Sequence, residues 1–171
     1  VFGNKKDKRV RNHRGRFAVN QTNITMRYLL SIITILTLAF SSSVLAQDKV
    51  EITIEGNDKM QFNLNEIKVE AGQTVVLTLK HVGKLPKAAM GHNWVLLTQG
   101  TEINKFGAAA SKFAGNDYIP EDTDQVIAHT ELVGGGQQTT IEFKAPEKGT
   151  YDFICSFPGH YAMMKGKFIV E

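Results

Sequence analysis

Over the last two-thirds of the chain, apolar residues recur at every second position in short runs. Val50, Ile52 and Ile54 alternate with Glu51, Thr53 and Glu55, the period of a strand buried on one face. Asn57-Asp58 reads as a turn, after which Phe62 and Leu64, then Ile67 and Val69, resume the alternation. Residues 74–80, 92–98, 139–144, 150–155 and 167–171 are further strand segments, and Gly72, Gly83, Pro86, Gly134, Gly135, Gly136, Pro146 and Gly149 punctuate the joins. Many short strands at this spacing restrict the chain to an all-β architecture, an antiparallel sandwich with long crossings. One segment departs from the period. Ile103, Phe106, Ala110 and Phe113 fall at helical spacing, so a short helix is expected around 102–114, with Gly115 as its cap. Gly107 inside it costs ~1 kcal/mol relative to Ala, so packing must hold this helix.

The first 46 residues have a different character. From Met26, Arg27 leads into an apolar run, Tyr28 to Phe40, then a Ser-rich stretch and the small-residue site Val44-Leu45-Ala46. That is the layout of a secretory signal peptide over 26–46, with cleavage after Ala46. Residues 1–25 are basic and precede it; they are expected to be a disordered upstream extension foreign to the mature protein. Residues 47–171, one domain without repeats, carry 12 Lys/Arg and 16 Asp/Glu, a formal charge of −4. The basic balance of the whole chain therefore comes from its first 27 residues, and nucleic-acid binding is not expected of the domain.

The chemistry concentrates in "CSFPGHYAMMKG", residues 155–166, which holds the only cysteine. Cys155, His160 and Met164 offer thiolate, imidazole and thioether on one loop, a donor set suited to copper. Taken alone, the spacing also fits a core thiol, a surface histidine and packing methionines. Strand parity favours a site: Tyr151, Phe153 and Cys155 share one face, and Met164 shares parity with Phe168 and Val170, while Met163 falls with Lys165 and Lys167. Met164 is thus expected inside and Met163 outside, unless a bulge at Gly166 reverses the count. A second imidazole is needed, and His92, after Gly91 at the start of an apolar run, competes with His81 and His129 for the place.

"MGHNWVL" followed by "CSFPGHYAMMKG" resembles the azurins, small bacterial blue-copper proteins of the cupredoxin class. "EGNDKMQFNLNEIKV", "GKLPKAAMGHNWVL" and "VIAHTELVGGG" extend the likeness over essentially all of 47–171, in the family's order. The resemblance implies a cupredoxin-like Greek-key sandwich or barrel of about eight strands. It makes His92, Cys155 and His160 the equatorial ligands of one type 1 copper, Met164 a weak axial ligand and the Gly91 carbonyl the opposing axial oxygen. Asn93 matches the family's bracing asparagine, Phe157 lies beside the thiolate, and Trp94 matches its core tryptophan. Met60, Leu85, Ala89, Met90, Phe157, Pro158, Gly159, Ala162 and Met163 match an apolar docking patch around the His160 edge. Two departures stand out. A single cysteine cannot form the family's disulfide, and Val82 replaces the proline that usually follows the histidine matching His81.

The function this implies is one-electron transfer rather than catalysis, in the periplasm. Transient redox proteins such as c-type cytochromes, or periplasmic reductases and oxidases, are the expected partners. After signal cleavage no membrane contact is expected, and the state is a monomer or weak oligomer. A copper chaperone would use exchangeable surface ligands, and a copper oxidoreductase would need a second metal and its histidines.

Overall fold

The computed structural model describes residues 49–171; the expected extension over 1–25 and signal peptide over 26–46 lie outside them. Nine strands form two mixed sheets. The first holds β1 (Lys49–Asn57), β2 (Gln61–Phe62), β4 (Thr74–His81) and β7 (Gln138–Lys144) in the order β2-β1-β4-β7. The second holds β3 (Glu66–Val69), β5 (Val95–Leu97), β6 (Val126–His129), β8 (Gly149–Ile154) and β9 (Lys165–Val170) in the order β3-β9-β8-β5-β6. Most pairings are antiparallel, as alternation and tight turns predict. Two are parallel, β1 with β4 and β3 with β9. In each of these the partners are joined by a crossing rather than a hairpin, which period-2 patterning alone does not register.

Alternation decides which face is buried. Ile54, Val75, Leu77 and Leu79 of the first sheet pack in one core with Leu96, Phe153 and Phe168 of the second and with Trp94, just before β5. Trp94 is fully buried within an aromatic cluster, its ring centroid 5.7 Å from Phe143 and 5.8 Å from Phe153. β5 breaks the alternation because all three of its residues are buried. Its outward residues, Val95 and Leu97, are covered by Phe106 and Ala110 of a helix, α2 (Ile103–Ala110). Tyr161 packs on the same cluster, and its ring lies against the Cα of Gly107 where any Cβ would collide with it. The helix expected around 102–114 exists but is shorter: it ends at Ala110 with Ser111 as its C-cap, and Gly115, expected as the cap, lies in a separate 3-10 turn over Ala114–Asn116. Its interior glycine makes room for a ring.

Two elements were not legible beforehand. β6 has no alternation, its residues half-buried or exposed; it forms because Val95 and Leu96 pair with His129 and Ala128. A single helical turn, α1 (Lys87–Met90), follows Pro86; with no buried residue of its own it has no apolar stripe to read. Among the described residues, no helix is long and apolar enough to cross a membrane.

Candidate metal centre

At one end of the sandwich the β8–β9 loop folds over the segment that precedes β5. Cys155 follows β8 directly, and its N–H donates to the Met164 carbonyl at 2.9 Å, tying the two ends of the loop. The β8–β9 register runs without a slip from Gly149↔Val170 to Ile154↔Lys165. No bulge intervenes at Gly166, so parity holds: Met164 is fully buried and Met163 is 59% exposed. Inside the loop, His160 opens a 3-10 turn, and the N–H groups of Met163 and Met164 both donate to its carbonyl. His92 comes from the other side, held by a two-hydrogen-bond bridge to Val133.

Three donors converge. His92 Nδ1 lies 3.2 Å from His160 Nδ1; Cys155 Sγ lies 3.6 Å from His160 Nδ1 and 3.9 Å from His92 Nδ1. All three residues are buried. A point equidistant from corners so spaced lies about 2.1 Å from each, which is the length of metal–imidazole and metal–thiolate bonds, ~2.0–2.3 Å. One soft sulfur and two imidazole nitrogens form a donor set suited to copper.

Hydrogen bonds around the triangle set which atoms face inward. His92 Nε2 donates to the Asn57 carbonyl at 2.9 Å, which fixes the proton on that nitrogen and leaves Nδ1 as the free donor. His160 Nε2 has no protein partner, and among the described residues the only buried side-chain nitrogen or oxygen without one is Trp94 Nε1. His160 Nε2 therefore reaches the surface although the residue as a whole is buried. Burial holds the His160 imidazole down at about 4, helped by the nearby His92 and His81. It lowers His92 as well, against the hydrogen bond to Asn57, and pushes the Cys155 thiol up to about 12. Without metal the site is a neutral thiol facing two neutral rings.

The competing histidines stand outside the triangle. His81 is buried with both nitrogens engaged, Nε2 with the Met90 carbonyl at 2.8 Å and Nδ1 accepting from Gly83 N at 3.1 Å. It stacks on His92 at a centroid distance of 4.3 Å and backs that ring. His129 ends β6 on the exposed side.

Residues 48–171 match the family model of copper binding proteins, plastocyanin/azurin family. The chain belongs to this family. An azurin of Alcaligenes faecalis is 43% identical over 120 residues, covering 68% of this chain and 94% of that protein. An azurin of Achromobacter denitrificans is 46% identical over 135 residues, 75% of this chain and 88% of that one. Among solved structures, auracyanin A, a "blue" copper protein of Chloroflexus aurantiacus, matches with a TM-score of 0.66 at 34% identity, over 72% of this chain and 99% of that chain. An azurin of Methylomonas sp. strain J gives 0.65 at 30% identity, over 74% and 99%. Copper is the family's metal, and His92, Cys155 and His160 are the residues placed to hold it.

Gly91 and Asn93 lie beside this plastocyanin/azurin-type centre. The Gly91 carbonyl lies 3.9 Å from Cys155 Sγ, and a Cβ at Gly91 would come 2.6 Å from the Lys87 carbonyl, so the backbone there can pass only as glycine. Asn93 spans the two ligand segments: its Oδ1 accepts from Ser156 N at 2.8 Å and its Nδ2 donates to Ser156 Oγ at 2.8 Å. Leu85, Ala89, Pro158, Gly159, Ala162 and Met163 are exposed, while Met60 and Met90 are half-buried. Phe157, grouped with that rim from sequence, lies beneath it instead: it is 9% exposed, with its ring 4.6 Å from His160. Its apolar surface is more completely withdrawn from water there, against Leu132 and Met164.

Sequence reasoning passed over Ser156, the Asn57 carbonyl, Asp117 and Tyr118. Ser156 was available as the residue after the cysteine. The other three act through backbone groups or turn geometry, which residue type does not announce.

Proposed function

We propose that this chain is an exported one-electron carrier whose buried His92–Cys155–His160 triangle holds type 1 copper. The observation that carries the reading is that triangle, with a thiol at one corner and a surface-reaching imidazole at another. Bound copper supplies the Cu(I)/Cu(II) couple and a thiolate charge-transfer absorption. The chain supplies the rest. Cys155 gives up its proton to solvent on loading, since a coordinating thiol is deprotonated. Met164, fully buried in one cluster with Cys155, and the Gly91 carbonyl, 3.9 Å from its Sγ, would be the further groups available to hold the ion weakly. Ligands fixed by β8, β9 and the Val133 bridge leave little to rearrange between oxidation states, so transfer needs little nuclear motion.

His160 is the port for electrons, and the exposed Leu85, Ala89, Pro158, Ala162 and Met163 are the surface on which a redox partner seats. Weak, small interfaces suit such encounters. The signal-like segment over 26–46 and the azurin relatives support a periplasmic location, with c-type cytochromes or periplasmic reductases and oxidases as partner classes. The decisive experiment adds Cu(II) to the chain 47–171. An intense blue band that Cys155→Ser abolishes is expected; a colourless Cu(II) complex overturns the reading.

A further inference from the structure

Asp117 and Tyr118, which follow a 3-10 turn (Ala114–Asn116), are consecutive residues with left-handed backbones, φ 48° and 61°. Asp visits this region at modest cost; for a bulky ring it is an outlier. What the pair does there is visible in its carbonyls. The Asp117 carbonyl accepts from Asn93 Nδ2 at 2.8 Å, and the Tyr118 carbonyl accepts from Ser156 Oγ at 2.8 Å. Asn93 and Ser156 are both fully buried and bonded to each other. Each needs one further partner, and an unpartnered polar group at such a site is strongly unfavourable. An extended backbone would send successive carbonyls in opposite directions; the left-handed pair turns both onto neighbouring donors.

The consequence reaches the ligands. Asn93 is the residue after His92, and Ser156 is the residue after Cys155. Pinning Ser156 at N and Oγ fixes the backbone from which Cys155 Sγ projects. We infer that Asp117 and Tyr118 are positioning residues for the copper cage, whose left-handed carbonyls hold Asn93 and Ser156 and through them the His92–Cys155 geometry. The Asp117 carboxylate adds a clip to Leu132 N at 3.1 Å and to Lys87 Nζ at 3.2 Å, but it is the backbone that aims at the cage.

The test separates backbone from side chain. Asp117→Gly and Asp117→Ala remove the same carboxylate and differ in tolerance of positive φ. Tyr118→Asn and Tyr118→Val likewise both remove the ring and differ in that tolerance. In the apoprotein of the full domain, exchange of the Ser156 N–H is measured relative to the Leu77 N–H in mid-β4, which reports global opening. Asp117→Ala and Tyr118→Val are expected to raise that ratio at least tenfold, Asp117→Gly and Tyr118→Asn less than twofold. In the copper(II) form, the Ala and Val variants are expected to show an altered thiolate band and the Gly and Asn variants an unchanged one. The inference rests on the copper reading for this second measurement only, and a colourless wild type would strike that reading while the exchange ratio still decides this one. Equal ratios within each pair, with losses confined to melting temperature, overturn it.

Discussion

At the scale of single residues, the cage is set by groups kept neutral until metal arrives. The Cys155 thiol, raised to about 12 by burial, is protonated at pH 7, and the His160 ring, lowered to about 4, is not. Loading therefore releases about one proton per copper, because only the thiol has one to lose. Calorimetric titration in two buffers of different ionisation enthalpy checks this; release near zero or near two would contradict the assignment. The same shifts set the pH dependence of the apoprotein. Between about 4 and the usual imidazole value near 6.5, the unfolded chain binds a proton at His160 that the folded chain does not. Stability from this group is then complete above ~6.5 and lost as pH falls towards 4, at up to about 1.4 kcal/mol per pH unit. For Cys155 the sense is opposite: its contribution is complete below about 9 and lost as pH rises towards 12. Urea midpoints of the apoprotein should decline on both flanks, and Cys155→Ser should flatten only the alkaline one. The ligands themselves were legible because their types are rare and their parity is forced. The tautomer of His92 was not, since it depends on a carbonyl of Asn57, a residue whose side chain says nothing of it.

At the scale of elements, α2 shows how packing overrides propensity. Gly107→Ala on an isolated helix would gain about 1 kcal/mol. Here the added methyl meets the Tyr161 ring, with the fully buried Ile154 and Leu97 in the same cluster. Overpacking of this kind costs ~1–3 kcal/mol, so Gly107→Ala is expected to lower the urea midpoint despite its better propensity. In a Tyr161→Ala background the same change should become stabilising, because the clash is gone and the propensity gain remains. A Gly107→Ala variant more stable than the parent would contradict the contact. This also explains what could be read beforehand and what could not. Ile103, Phe106 and Ala110 announce the helix by spacing, whereas its glycine looks like a defect until Tyr161, over fifty residues on, is placed upon it. β6 was missed for a related reason: Val126–His129 is a strand by virtue of its partner β5, not of any pattern of its own.

At the scale of the whole molecule, the sandwich buries the metal donors and leaves one edge of one imidazole at the surface, the electron port proposed above. His92 and Cys155 stand 63 positions apart in the chain, so they come together only once β5 has paired with β8, Val95 opposite Ile154. The described residues divide accordingly: aromatic packing around Trp94 holds the sheets together, while the apolar rim about His160 stays open. The rim residues Leu85, Ala89, Pro158, Ala162 and Met163 are themselves uncharged in a domain of formal charge −4, so a proposed partner seated on those side chains would desolvate no charge of theirs. Met163 tests the arrangement directly. It is 59% exposed, whereas its neighbour Met164 is fully enclosed, so Met163→Lys changes the proposed docking face without entering the cage. The blue band and melting temperature of Met163→Lys should match the parent. Its electron self-exchange and its transfer to a c-type cytochrome should slow at least tenfold, because two copies, or carrier and partner, must now bury an ammonium to bring the His160 edges together. Transfer at the parental rate with an unchanged spectrum would place the port elsewhere on the surface.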